Sequence, residues 1–145
     1  MKKIISIGCD HAGYSLKLEI KKQLVNLGYE VLDMGCYSEE SIDYPDYAHP
    51  VADYVETNTD AKGILICGSG NGINMAANKH QGIRSALCWQ VEIAKLAREH
   101  NNANIVALPA RFISSEEALK IVEAFLNTPF EGGRHQKRVD KIACV

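Results

Sequence analysis

No run of apolar residues in this 145-residue chain approaches the roughly 18–20 that a membrane span needs. Neither sign of charge is in excess. Sixteen lysines and arginines stand against eighteen aspartates and glutamates, a formal net charge of −2. A broad nucleic-acid surface shows as a strongly basic domain, so that class of partner is excluded. There is no Pro/Gly/Ser-rich linker, no internal repeat and no low-complexity tract, so the expectation is one domain over residues 1–145. There is no Cys-x-x-Cys and no His-x-x-x-His pair, the spacings that announce a structural zinc site. The five cysteines, Cys9, Cys36, Cys67, Cys88 and Cys144, are odd in number and irregularly spaced, a poor disulfide framework. The apolar stretch near the N-terminus stops at Cys9-Asp10-His11, too soon for a secretory core. Free thiols in a reducing, cytoplasmic compartment are therefore expected.

Hydrophobic residues make up 46% of the chain, and they fall into short runs that alternate with amphipathic segments. The runs from Lys3, Tyr29, Gly63, Ser85 and Asn104 predict five strands, the first buried, the third apolar on both faces and the fourth weaker. Between them, Leu16, Ile20, Leu24 and Leu27 recur at helical spacing before Gly28, and Pro45 opens a helix carrying Ala48, Val51, Ala52 and Val55. Ser114-Ser115-Glu116-Glu117 marks a further helix start, and a last short helix is expected after the tail Glu131–Arg138. Alternation of this kind predicts an α/β, Rossmann-like three-layer sandwich around a five-stranded, mostly parallel sheet.

Ligands of such sheets bind outside the carboxyl ends of the strands. Asp10-His11 follows the first strand, Cys67–Gly72 the third and Arg111 the fifth. Glu99-His100-Asn101-Asn102 closes the helix after the fourth strand and is expected at the same edge. The sharpest local motif is Cys67-Gly68-Ser69-Gly70-Asn71-Gly72. Alternate glycines let backbone amides turn toward a ligand, and the helix start that follows favours an anion or a developing oxyanion. A cysteine sulfur beside such a cradle can act as nucleophile or general base. A dinucleotide fold would want Gly-x-Gly-x-x-Gly after its first strand, whereas this run is Gly-x-Gly-x-Gly after the third. Asp10 is equally suited to capping a helix. His100 near a helix end reads alone as a surface or cap histidine, as do His49, His80 and His135. Arg134 and Arg138, four apart, share a helix face and suit a phosphate clamp or a solvated tail.

Taken in order, Gly8-Cys9-Asp10-His11-Ala12-Gly13, Asp43-Tyr44-Pro45, Cys67–Ile73, Ala76-Ala77-Asn78-Lys79, Gly82-Ile83-Arg84, His100-Asn101 and Glu131-Gly132-Gly133-Arg134-His135 resemble one family. It is the sugar-phosphate isomerase family that includes type B ribose-5-phosphate isomerases and the galactose-6-phosphate isomerase subunits. The resemblance spans essentially the whole chain. It implies aldose–ketose isomerisation of ribose 5-phosphate and ribulose 5-phosphate through a cis-enediolate, with no metal and no organic cofactor. It makes Cys67 the base and His100 the ring-opening acid/base, with Asp10 and Ser69 orienting the sugar ring. Some relatives carry glutamate at the position of Ile73 and lack the cysteine, so this chain resembles the cysteine subgroup. The amides of Gly68, Gly70, Asn71 and Gly72 would hold the enediolate oxygen. Tyr44 and Asn101 resemble sugar contacts, and His11, Arg111, Arg134 and Arg138 the phosphate set. A homodimer, or a dimer of dimers with sites at the interface, is implied as well. The alternatives are a six-carbon substrate, a non-catalytic phosphometabolite-binding module and a flavodoxin-like electron carrier. The last is disfavoured by Asp10, whose charge would repel phosphate where that fold places its phosphate loop.

Overall fold

The computed structural model describes residues 2–144. Strands and helices alternate: β1 (Ile4–Cys9), α1 (Tyr14–Asn26), β2 (Glu30–Asp33), α2 (Pro45–Thr57), β3 (Lys62–Cys67), α3 (Asn71–Ala77), β4 (Ser85–Leu87), α4 (Val91–Asn101), β5 (Ile105–Pro109), α5 (Ser115–Asn127) and α6 (Arg134–Val139). The sheet runs β2-β1-β3-β5-β4, and every neighbouring pair is parallel. Parallel strands joined through helices obey a right-handed crossover. The chain steps one way from β1 to β2 and back from β2 to β3, so α1 and α2 cover opposite faces. Side chains alternate accordingly. Ile64 and Ile66 pack with Leu24, Ala94, Val122 and Phe125 of α1, α4 and α5. Leu65 and Cys67 point the other way, to Val51, Val55, Ile73 and Ala77 of α2 and α3. Each large apolar side chain buried here, such as Phe125, contributes about 1.5–3 kcal/mol.

Local chemistry sets the boundaries. Pro45 occupies the first turn of α2. Ser114 caps α5, its Oγ accepting the Glu117 N–H at 3.1 Å. Gly28, at φ +90°, ends α1 in the left-handed conformation that a side chain resists, and this leaves Leu27 outside the helix and exposed. The last helix differs from the expectation. It begins at Arg134, so Arg134 and Arg138 lie within it rather than before it. No helix among the described residues is long and apolar enough to cross a membrane.

Candidate active site

Strand order reverses on both sides of β3, and each reversal opens a crevice at the carboxyl edge, because the flanking connections leave to opposite faces. Cys67 ends β3 in that position. Its side chain is 5% exposed, and its Sγ accepts the Gly70 N–H at 3.1 Å. Gly70 has φ +78°, a conformation an L side chain resists, and this turn aims its amide at the sulfur. The exposed Ser69 hydroxyl accepts the Asn71 N–H at 3.2 Å, closing the turn into α3. First-turn amides of a helix have no acceptor inside it, and those of Gly72 and Ile73 are of this kind. The Tyr44 ring lies against Gly72, where a Cβ would come within 2.5 Å of it. The Arg111 guanidinium lies against Gly68, and the Arg111 backbone amide donates to the Gly68 carbonyl at 3.0 Å.

Across the crevice, Asp10 is almost buried. Its Oδ1 accepts the Gly13 N–H at 3.1 Å and caps the single 3-10 turn of His11–Gly13, so the capping role anticipated for it is realised. His11 Nδ1 accepts the Ile42 N–H at 3.3 Å and ties this turn to the segment that carries Tyr44. That segment starts from a buried ionic knot which sequence reasoning missed. Lys17 is fully buried on α1, and its Nζ bonds Asp33 Oδ1 at 2.8 Å and the Cys36 carbonyl. Lys21 bonds Asp33 Oδ2 at 2.9 Å. Burial raises the Asp33 carboxyl, but bonds from Lys17, Lys21 and the Gly35 amide outweigh it and hold the group below the usual carboxylate range. The available hint was two lysines four apart beside the apolar stripe of α1. Cys9 and Cys36 lie within 3.8 Å in the same region, and burial pushes the Cys9 thiol up to about 12.

The remaining predicted residues lie elsewhere. The sequence reading put His100 at the carboxyl edge, and this is corrected. A covering helix runs antiparallel to its strands, so α4 leaves the carboxyl edge and ends at the amino edge. Arg84, just before β4, donates from Nε to the carbonyls of Asn101 and Asn102 there. Nine residues of helical rise put His100 about 14 Å from the start of α4 at Val91. At this edge His100 stacks on His135, ring centroids 4.3 Å apart, and Glu131 bridges the two at 4.0 and 3.2 Å. Sequence reasoning gave Glu131 and His135 no role. Arg134 and Arg138 are exposed on α6, with Arg138 Nη1 donating to the Arg134 carbonyl at 3.2 Å. One chain therefore unites Cys67, Gly68, Ser69, Gly70, Asn71, Gly72, Asp10, His11, Tyr44 and Arg111. It holds His100, Asn101, Arg134 and Arg138 as a second group at the opposite edge.

A thiol, an amide cradle and a guanidinium at the switch point of a parallel sheet define an α/β enzyme built for a small anionic substrate. The sequence pattern of the Ribose/Galactose Isomerase family matches residues 5–142, and the chain belongs to that family. It is 48% identical to ribose-5-phosphate isomerase B of Escherichia coli (strain K12), over all of this chain and 97% of the relative. The crystal structure of a ribose 5-phosphate isomerase from Thermotoga maritima superposes with a TM-score of 0.96 at 51% identity, each chain fully covered. The Mycoplasma genitalium ribose-5-phosphate isomerase B, solved with bound ribulose-5-phosphate, gives 0.94 at 48% identity, covering 98% of this chain and 95% of that one.

Proposed function

We propose that this chain interconverts ribose 5-phosphate and ribulose 5-phosphate, with Cys67 as the base. The observation that carries the assignment is the buried Cys67 sulfur, 3.1 Å from the Gly70 amide, in the switch-point crevice. The thiolate takes the proton from C2 of the open-chain aldose. The C–H electron pair becomes the C1–C2 double bond, and the carbonyl pair moves onto O1. The proton is then delivered to C1, and the O2 proton passes to O1, leaving the ketone at C2. Amides of the Gly68–Gly72 run face the oxygen that becomes negative. Donors of this kind are typically worth about 3–4 kcal/mol of transition-state stabilisation each. Asp10 and Ser69 orient the ring, Tyr44 flanks the sugar, and His11 and Arg111 draw the phosphate.

His100 opens the ring, Asn101 holds the sugar, and Arg134 with Arg138 clamps the phosphate, all from a second copy of the chain. Two features support that assembly. The two residue groups occupy opposite edges of one sheet. Exposed Tyr44, Met75, Trp89 and Phe112, the last 76% exposed, also fringe the carboxyl edge, an apolar border suited to burial against a partner. A two-fold dimer then builds two identical sites, each from one edge of either copy.

Interconversion of the two sugar phosphates, measured with EDTA present in wild type and Cys67→Ala, tests the base. Turnover in wild type is expected to fall at least about 100-fold in the variant, the scale of lost proton transfer. Comparable turnover in the two would overturn the role of Cys67.

A further inference from the structure

Away from the crevice, α2 and the turn after α3 gather four side chains that the isomerisation does not use. His49, Asp53 and Glu56 follow one another on α2 at spacings of four and three, so they share one face of the helix. His80 comes from the turn that follows α3 and meets them. Its Nδ1 is 3.3 Å from Asp53 Oδ1 and 3.9 Å from Glu56 Oε1, and its Nε2 is 2.8 Å from His49 Nδ1.

We propose that Asp53, Glu56 and His80 form a binding site for a divalent transition-metal ion of the zinc and cobalt class. The three ligand atoms already lie within 4.8 Å of one another. Around a tetrahedral ion with bonds of 2.0–2.2 Å, ligand atoms stand about 3.3–3.6 Å apart. The two distances from His80 are near that range, and Asp53 is exposed and free to turn inward. Two ligands are held from behind, as metal ligands usually are. Glu56 Oε2 accepts the Gly82 N–H at 2.5 Å, which leaves Oε1 for the ion. With its proton on Nε2, His80 donates to His49 Nδ1 and presents the lone pair of Nδ1 to the carboxylates. One nitrogen and two carboxylates, with a position open to solvent, suit borderline ions such as Zn²⁺ and Co²⁺ rather than thiolate-seeking Cu⁺. Two carboxylate charges converge where the ion would sit, and a divalent charge offsets both. The ion joins the C-terminal half of α2 to the turn between α3 and β4, so it acts on stability and leaves turnover alone.

His100, Glu131 and His135 form another trio within the same 4.8 Å. Its contribution is removed by working throughout in a Glu131→Gln parent. Untagged parent protein, stripped with chelator, is titrated with Zn²⁺ by calorimetry and with Co²⁺ by visible absorption. One ion per chain is expected, with a cobalt d–d band and a rise in Tm with zinc. His80→Gln and Asp53→Asn should each weaken binding more than tenfold and abolish the Tm rise. His49→Phe, which removes only the outer partner, should weaken it about 10–100-fold. Circular dichroism checks the fold of each variant, and turnover in EDTA of the three substitutions made in the wild-type background should match wild type. No uptake by the parent overturns the site, as does equal uptake by parent and His80→Gln.

Discussion

If Cys67 and His100 act together only across a dimer, two inactive variants should rescue one another. Cys67→Ala destroys the carboxyl-edge half of a site and His100→Asn the amino-edge half. A mixed dimer of the two then holds one site with both lesions and one site with neither. Random exchange of equal amounts makes about half of all dimers mixed, each with one intact site of two, so about 25% of wild-type activity should return. The structural basis is the course of α4, which carries His100 about 14 Å along its axis away from the edge where Cys67 sits. The variants are mixed under mild denaturant and refolded together, exchange is confirmed by native mass spectrometry, and isomerisation is assayed against each variant alone. If mixed dimers form and activity stays at the level of the single variants, both residues serve the same chain's site, and the reasoning from opposite edges fails.

Other expectations concern the supports of the site. Gly70→Ala should lower stability by about 1–2 kcal/mol for its left-handed backbone, with a further cost as the new Cβ runs into Leu87 Cδ1; denaturant melts measure this, and kcat should fall more than KM rises because the amide facing Cys67 shifts. Lys17→Met removes one partner of a buried pair, yet Asp33 keeps Lys21 and the Gly35 amide, so a loss of about 2–4 kcal/mol is expected in urea unfolding, and a stabilised variant would refute it. Asp33 is held below its unfolded value, so its contribution is complete above about pH 4 and vanishes as pH falls through the folded value. The stability gap between wild type and Lys17→Met should therefore narrow in acid. Brief iodoacetamide treatment of native protein at pH 8, read by mass spectrometry, should label the exposed Cys144 and spare Cys9 and Cys88, whose thiols burial pushes up to about 12.

The five strands and most helix starts were legible because each is marked locally. Apolar runs on both faces give buried parallel strands, and Pro45, Gly28 and Ser114 supply their own stops and caps. The Cys67–Gly72 cradle was legible for the same reason, since a strand end, a turn and a helix start are contiguous in the chain. The place of His100 was not, because the direction of a covering helix carries a residue to the far edge and spacing alone does not record which edge that is. The Lys17–Asp33 knot was hidden because its partners lie sixteen residues apart on different elements, and a lysine beside an apolar stripe is ordinarily solvated. The meeting of His80 with Asp53 and Glu56 was hidden in the same way, its pieces coming from two elements joined only by the fold.

β3 has a hydrogen-bonded neighbour on each side, β1 and β5, and helices above and below it. Its amides should be among the last in the molecule to exchange with deuterium, opening only with global unfolding. The group assigned to proton transfer is thus mounted on the stiffest part of the scaffold. Tyr44, which covers the cradle, hangs instead from a stretch with no regular structure between β2 and α2. If substrate enters and product leaves on that side, an exchange map taken with and without sugar phosphate should change most at residues 37–44 and least along β3.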